Sequence, residues 1–358
     1  MVLRRLLPLV FVALVGCSSA AGDRAAEFAD LPALLDSLMT EHRVPGVSLA
    51  VFDDTGVLYH HVAGFKSQES QELVDAETAF EAASISKPVF AYIVLTLARD
   101  GVLDLDVPFS VLGMDLPSVS HDARWEALTP RMLLSHVGGL PNWRARLSFE
   151  AESYEELFSP DDTLKFVSEP NTQYGYSGEG YVLLQQVVEQ LTGKGLKMLA
   201  REMVFDPLEM ERSSFSYDDR IKINTPRGHD RDMNPDKWEI ALPLASSTLH
   251  TTALDLAAFG IHLASGIRQG EYYSVMAEPA VTVGTASNVE RSWGLGLGII
   301  TDELGRYVYH GGNNVIFIAD FIYGIEENLG YALLTNSANG RAVVEGMERR
   351  MFGRDFPR

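Results

Sequence analysis

The stretch "AFEAASISKPVF", residues 79 to 90, decides how the rest of the chain is read. Ser84 stands three residues before Lys87, and Pro88 follows the lysine at once. A proline is tolerated in the first turn of a helix, where its missing N–H costs nothing. Pro88 therefore predicts a helix that starts no more than about four residues before it, with Ser84 at its N-terminus. Ser84 and Lys87 then share one face. Free backbone N–H groups and the positive end of the helix dipole favour negative charge developing at the serine. A lysine at the edge of an apolar helix is partly desolvated, which lowers its pKa and makes it a proton acceptor. The pair reads as an activated nucleophile with its base. Spacing alone is weak support, because about one Ser-x-x-Lys is expected by chance in a chain of this length.

Working outward, "KPVFAYIVLTLARDG" is apolar nearly all round and reads as a buried central helix. Before it, "ALLDSLMTEHRVPG" has helical spacing, and "VSLAVFDDTGVLYHHVAGF" reads as two strands around an Asp-Asp-Thr-Gly turn. Beyond it, helical segments and long polar loops run to about residue 240. "TTALDLAAFGIHLASG" is a further helix that Thr252 can cap. "WGLGLGIIT", "RYVYH", "VIFIADFIYG" and "GYALLTNS" read as successive strands, and a last helix covers about 340 to 351. Strands at both ends of a helical middle predict an α+β fold. It is an antiparallel sheet flanked by helices, with an inserted mostly helical subdomain. "WGLGLG" lacks the helix and acidic partner of a dinucleotide site and reads as a glycine-rich strand.

The chain has 358 residues, 46% of them hydrophobic, which is ordinary globular composition. Its net charge of −20 repels phosphate backbones, so nucleic acid is excluded as a partner. The nine histidines do not cluster at metal-ligand spacings, so neither a metal nor another cofactor is expected. Cys17 is the only cysteine, which leaves the folded body without disulfides or a thiol nucleophile.

Further motifs follow Ser84 in order. "LTPRMLLSHVGGLPNW" covers residues 128 to 143, and "TQYGYSGEGYVLLQQVVEQLTG" and "YHGGNNVIFIADF" come after it. Together with "FEAASISKPVFAYIVLTLARDGVLDLD" they resemble the β-lactamase-related serine hydrolases, especially the class C and esterase branch, from about residue 30 to 350. The resemblance implies a serine β-lactamase/transpeptidase-like fold, with an α/β layer of about 28–80 and 241–358 and a helical subdomain of about 81–240. It makes Ser84 the nucleophile, Lys87 its proton partner and Tyr176 a second base, a phenol whose pKa nearby Lys87 lowers. Tyr174 is the competing choice. His310 stands where the family has the lysine of Lys-Thr-Gly, followed by Gly311 and Gly312, which let the strand approach substrate. The oxyanion would face the backbone N–H groups of Ser84 and Asn313. Gly178 replaces the asparagine of Tyr-x-Asn. His136 reads as a structural, hydrogen-bonded histidine.

Losing the asparagine and the permanent cation points to an esterase-like hydrolase of an ester, a small amide or a peptide. The alternatives are a penicillin-binding D-Ala peptidase or β-lactamase, and a weak ligand-binding relative. The N-terminus "MVLRRLLPLVFVALVGCSSAAG" reads as an export signal, residues 1–16, and its "LVGC" resembles the lipobox of bacterial lipoproteins. That implies lipid on Cys17, a tether of residues 17–27, and a domain of 28–358 held at the bacterial outer membrane, facing the periplasm.

Overall fold

The structure is a computed structural model that describes residues 26–357, apart from 115, 117, 120, 145–150, 152, 158–162, 237–240 and 287. Residues 1–16, read from the sequence as an export signal, and Cys17 lie outside the described residues. No described helix is long and apolar enough to cross a membrane.

The fold is α+β, with a large antiparallel sheet flanked by helices. After helix α1 (Leu31–His42) come β1 (Gly46–Phe52) and β2 (Val57–Gly64). Asp53 makes the turn between them by accepting hydrogen bonds from Thr55 N–H at 2.8 Å and Gly56 N–H at 3.1 Å. Then follow β3 (Phe80–Ala83), α2 (Ser86–Arg99), α3 (Pro130–Leu134), α4 (Gly178–Thr192), β4 (Leu249–Thr251) and α5 (Ala253–Gln269). The chain closes with β5 (Val281–Ala286), β6 (Val289–Trp293), β7 (Gly298–Asp302), β8 (Gly305–Asn313), β9 (Ile318–Gly324), β10 (Leu329–Thr335) and α6 (Arg341–Phe352). The large sheet runs β2-β1-β10-β9-β8-β7-β6-β5. An N-terminal and a C-terminal strand, β1 and β10, thus pair one strand in from the β2 edge, with Val47 opposite Thr335 and Phe52 opposite Gly330.

Alternation along β1 explains the layers. Val47, Leu49 and Val51 face a cluster with Leu31 and Leu35 of α1 and Val343 and Met347 of α6. Ala50 and Phe52 face the larger core on the other side, with α2 and α5. Phe52 reaches so close to α5 that a Cβ at Gly260 would lie 2.5 Å from its ring. Thr252 caps α5 by accepting from Asp255 N–H at 3.0 Å. Helix α2 is buried from Ser86 to Leu97, as its all-round apolar sequence requires. Each large aliphatic or aromatic side chain buried there contributes about 1.5–3 kcal/mol.

One sequence expectation changes, and three strands form where the sequence pattern assigns none. "VTVGTASNVERSW" forms β5 and β6 at the sheet edge, where exposed, polar positions hide the two-residue period. "WGLGLG" is largely a bend: β7 starts only at Gly298, and Gly296 takes φ +96°, where a Cβ would lie 2.4 Å from the Ala91 side chain of α2. The residues before Ser84 form a strand, β3, paired with β4.

Candidate active site

Strand β3 delivers Ser84 to the mouth of α2. Its pairing with β4 is irregular between Glu81 and Ala83, and Ala83 takes φ +49°. Such a bulge bends a strand and re-aims the residues after it. The chain then turns at once into α2, whose N-cap is Ile85. Ser86 locks the turn, donating from Oγ to Ala83 C=O at 2.6 Å and accepting from Leu249 N–H at 2.9 Å. Pro88 falls within the first turn, and Ser84 lies one residue before the cap. From residue 78 to 97 every position is buried except Ser84. The fold therefore opens this segment at one hydroxyl.

Lys87 lies directly beneath. Its Nζ is 3.2 Å from Ser84 Oγ and donates to the Ser246 carbonyl at 2.7 Å. The side chain is fully buried with no carboxylate against it among the described residues, and this desolvation brings its pKa from 10.5 down to about 7. The lowered value expected from the sequence is present, and desolvation is its cause. The ammonium sits over the rings of Tyr176, 4.8 Å from the centroid, and Tyr181, at 5.7 Å.

Of the two tyrosines, Tyr176 reaches the pair and hydrogen-bonds Ser84. Tyr174 packs behind, against His136 at 6.0 Å and Trp293 at 5.6 Å. One expectation is reversed. Burial raises the Tyr176 phenol above its ordinary value, and the Ser84 hydrogen bond only partly opposes this. Lys87 lies over the face of the ring, and burial of the hydroxyl decides the sign. Tyr176 is thus a neutral phenol at rest.

His136 is structural, as its sequence context suggests. Its Nδ1 accepts from Ser177 N–H at 3.1 Å, and burial holds the ring neutral, its pKa well below the ordinary value. Ring contacts at 4.4 Å to Tyr176 and 5.1 Å to Trp293 make it a backing plate for the phenol.

Strand β8 forms the opposite wall. His310 is 2% exposed, and its Nδ1 donates to Gly311 C=O at 2.8 Å. Its ring lies against Tyr176 at 6.1 Å and Trp293 at 5.5 Å. Gly312 is required for packing: a Cβ there would meet Ala82 C=O of β3 at 2.3 Å. A Cβ at Gly311 would meet nothing, so this position faces open space. Asn313 is exposed at the end of β8, where its Oδ1 accepts from Val315 N–H at 2.8 Å.

Gly178 opens α4, and the space above it is taken. A Cβ there would lie 2.9 Å from the Trp143 ring and 3.0 Å from Asn142 C=O. Asn142 Oδ1 accepts from Gly178 N–H at 2.9 Å, and Arg144 is ion-paired with buried Glu179 at 3.2 Å. Trp143 and Asn142 thus occupy the room an asparagine side chain would need. The sequence reading passed over both, and also Ser246 and Trp293. "LPNW" directly after "LLSHVGG" is the one signal that could have flagged the first two.

The arrangement joins a half-exposed hydroxyl, a buried amine with pKa about 7 and a neutral phenol, the elements of acyl transfer to a serine.

The chain is 29% identical over 240 residues to Esterase EstB of Burkholderia gladioli, covering 62% of this chain and 60% of that protein. It is 28% identical over 253 residues to Penicillin-binding protein 4 of Amycolatopsis lactamdurans, covering 65% and 63%. For Penicillin-binding protein 4* of Bacillus subtilis the figures are 27% over 190 residues, 51% and 40%. The matches therefore span 40% to 63% of these relatives' own length. The fold superposes on an octameric penicillin-binding protein homologue from Pyrococcus abyssi with TM-score 0.75 and 23% identity, covering 92% of this chain and 78% of that one. On a class C beta-lactamase the TM-score is 0.74 with 16% identity, covering 93% and 98%. The family profile "Beta-lactamase" matches residues 31–353. Spanning nearly all of the described fold, that match makes the chain a member of the beta-lactamase family, within the superfamily of serine hydrolases that share the penicillin-binding-protein fold.

Proposed function

We propose that this protein cleaves esters, and less readily small amides, through an acyl-Ser84 intermediate. The observation that carries this reading is the 3.2 Å approach of Lys87 Nζ to Ser84 Oγ, with the amine buried and its pKa brought down to about 7. Neutral Lys87 takes the Ser84 proton as Oγ adds to the acyl carbonyl carbon. The carbonyl π pair moves onto oxygen, and the oxyanion faces the backbone N–H groups of Ser84 and Asn313. Tyr176 gives its proton to the leaving oxygen and is reprotonated by Lys87. Water then attacks the acyl-Ser84 carbonyl by the reverse proton path, releasing the acid and restoring Ser84.

Two features favour esters over penicillins or D-Ala-terminated peptides. Those substrates carry a carboxylate, and buried His310 offers it no exposed ammonium. Gly178 offers no amide, and Trp143 presents an apolar ring in its place. The likeness to an esterase supports the same choice. The second reading is a penicillin-binding role, supported by the names of two relatives. Steady-state turnover of p-nitrophenyl butyrate, measured beside labelling by a fluorescent penicillin, separates them. Ester turnover with weak penicillin labelling is expected. Stoichiometric, long-lived penicillin labelling with no ester turnover would favour the second reading.

We further propose that Cys17 is lipidated and anchors the domain to the bacterial envelope, on the strength of "LVGC". Detergent phase partitioning of the full chain expressed in a bacterium tests this. The parent should enter the detergent phase and Cys17→Ser the aqueous phase; identical partitioning would contradict it.

A further inference from the structure

The acyl-transfer scheme gives no task to a buried acid close to Ser84 in the chain. Glu81 lies on β3, three residues before Ser84, and is 8% exposed. Burial pushes its carboxyl up to about 7, and the partner that opposes the rise is Asn314. Asn314 Nδ2 donates to Glu81 Oε2 at 2.8 Å, and also to the Ser247 carbonyl at 3.2 Å. One residue earlier, the Ser246 carbonyl accepts from Lys87 Nζ at 2.7 Å. The Ser246–Ser247 segment is therefore gripped on one side by the lysine and on the other by Asn314.

Asn314 also fixes the turn that follows β8. Its N–H donates to Phe317 C=O at 3.1 Å, and its own C=O accepts from Ile316 N–H at 2.7 Å. Val315 takes φ +66° in this turn. Asn313 immediately precedes it. An amide side chain has two faces that differ in hydrogen-bonding sense, and the partners around it choose between them. Here both partners of the NH2 group are acceptors, one of them Glu81.

We propose that Glu81 is a positioning residue for acyl transfer. It orients the Asn314 amide, which ties the turn carrying Asn313 to the segment whose carbonyl holds Lys87. The proposal rests on the hydrolase reading above. Glu81 touches no substrate; it acts by keeping the two walls of the site in register with Ser84, where small misplacements are expensive in rate.

The test compares the parent protein with Glu81→Ala, Glu81→Gln, Asn314→Ala and the double alanine variant. Butyrate ester kinetics, fluorophosphonate labelling of Ser84 and melting temperature are read for each. Glutamine keeps a carbonyl acceptor for Asn314 and should hold kcat within about threefold. Each alanine variant should lower kcat about ten- to a hundredfold with KM nearly unchanged. The double variant should fall no further than the worse single, because both act through one contact. Glu81→Gln as impaired as Glu81→Ala would overturn the proposal, and so would losses that multiply in the double variant. Should Glu81→Ala fail to fold, Glu81→Gln against Asn314→Ala decides the matter by the same criteria. A parent protein whose Ser84 is not labelled would instead defeat the hydrolase reading, and the proposal with it.

Discussion

Ser84→Ala is expected to lower ester turnover by more than about a thousandfold while leaving the fold intact. Ser84 is the single half-exposed position in a segment otherwise buried from 78 to 97. The other serine hydroxyls beside it, those of Ser86, Ser246 and Ser247, belong to buried residues. The one cysteine, at position 17, is outside the described residues. Alanine removes one hydroxyl at the mouth of the site. Lys87 keeps its bond to the Ser246 carbonyl, and Ser86, which locks the turn, is untouched. Stability should therefore change by less than about 1 kcal/mol. Kinetics with p-nitrophenyl butyrate, beside a thermal melt, check both halves of this expectation. Turnover within tenfold of the parent would remove Ser84 from the mechanism.

Lys87→Met should cost about a hundred- to ten-thousandfold in kcat/KM and change the shape of the pH profile. In the parent, the rate should rise as Lys87 loses its proton near pH 7 and then level off. Tyr176 adds no limb in the neutral range, because burial keeps its phenol protonated there. The methionine variant should lose the limb near pH 7 along with the activity. A limb that survives in Lys87→Met would belong to another group and contradict the assignment. The same substitution has an expected sign for stability. With the folded pKa about 7 and the ordinary value 10.5, the unfolded chain binds more protons between those limits. Stability of the parent therefore rises with pH across that window, and the full cost of the buried charge is present below it. Lys87→Met should melt higher than the parent at pH 6 and lose this slope. An unchanged slope between pH 7 and 10 would mean that the lysine titrates elsewhere.

Much of this was legible before the structure. The start of α2 follows from Pro88 and its burial from an apolar sequence on every side. The β-hairpin and the central strands show themselves by a two-residue period or by turn residues, as Asp53 to Gly56 do. What stayed hidden depends on distant contacts. Strands β5 and β6 are polar edge strands with little period to read. The irregular end of β3, with Ala83 at φ +49°, sets Ser84 one residue outside the helix cap and not in its first turn. The sign of the Tyr176 shift turns on burial of a hydroxyl, which neighbours in sequence do not reveal. The side chain missing at Gly178 is replaced in space by Trp143, thirty-five residues earlier. Glu81 carries no sequence signal of a role, because Asn314, which meets it at 2.8 Å, lies far along the chain.

The central claim is a covalent acyl-Ser84 intermediate. Its most direct test is acid-quenched mass spectrometry of the protein during turnover of p-nitrophenyl butyrate. The expected result is a butyryl adduct on the peptide containing Ser84, present at steady state and absent in Ser84→Ala. Ester turnover with no adduct, or an adduct mapped to another residue, would contradict it.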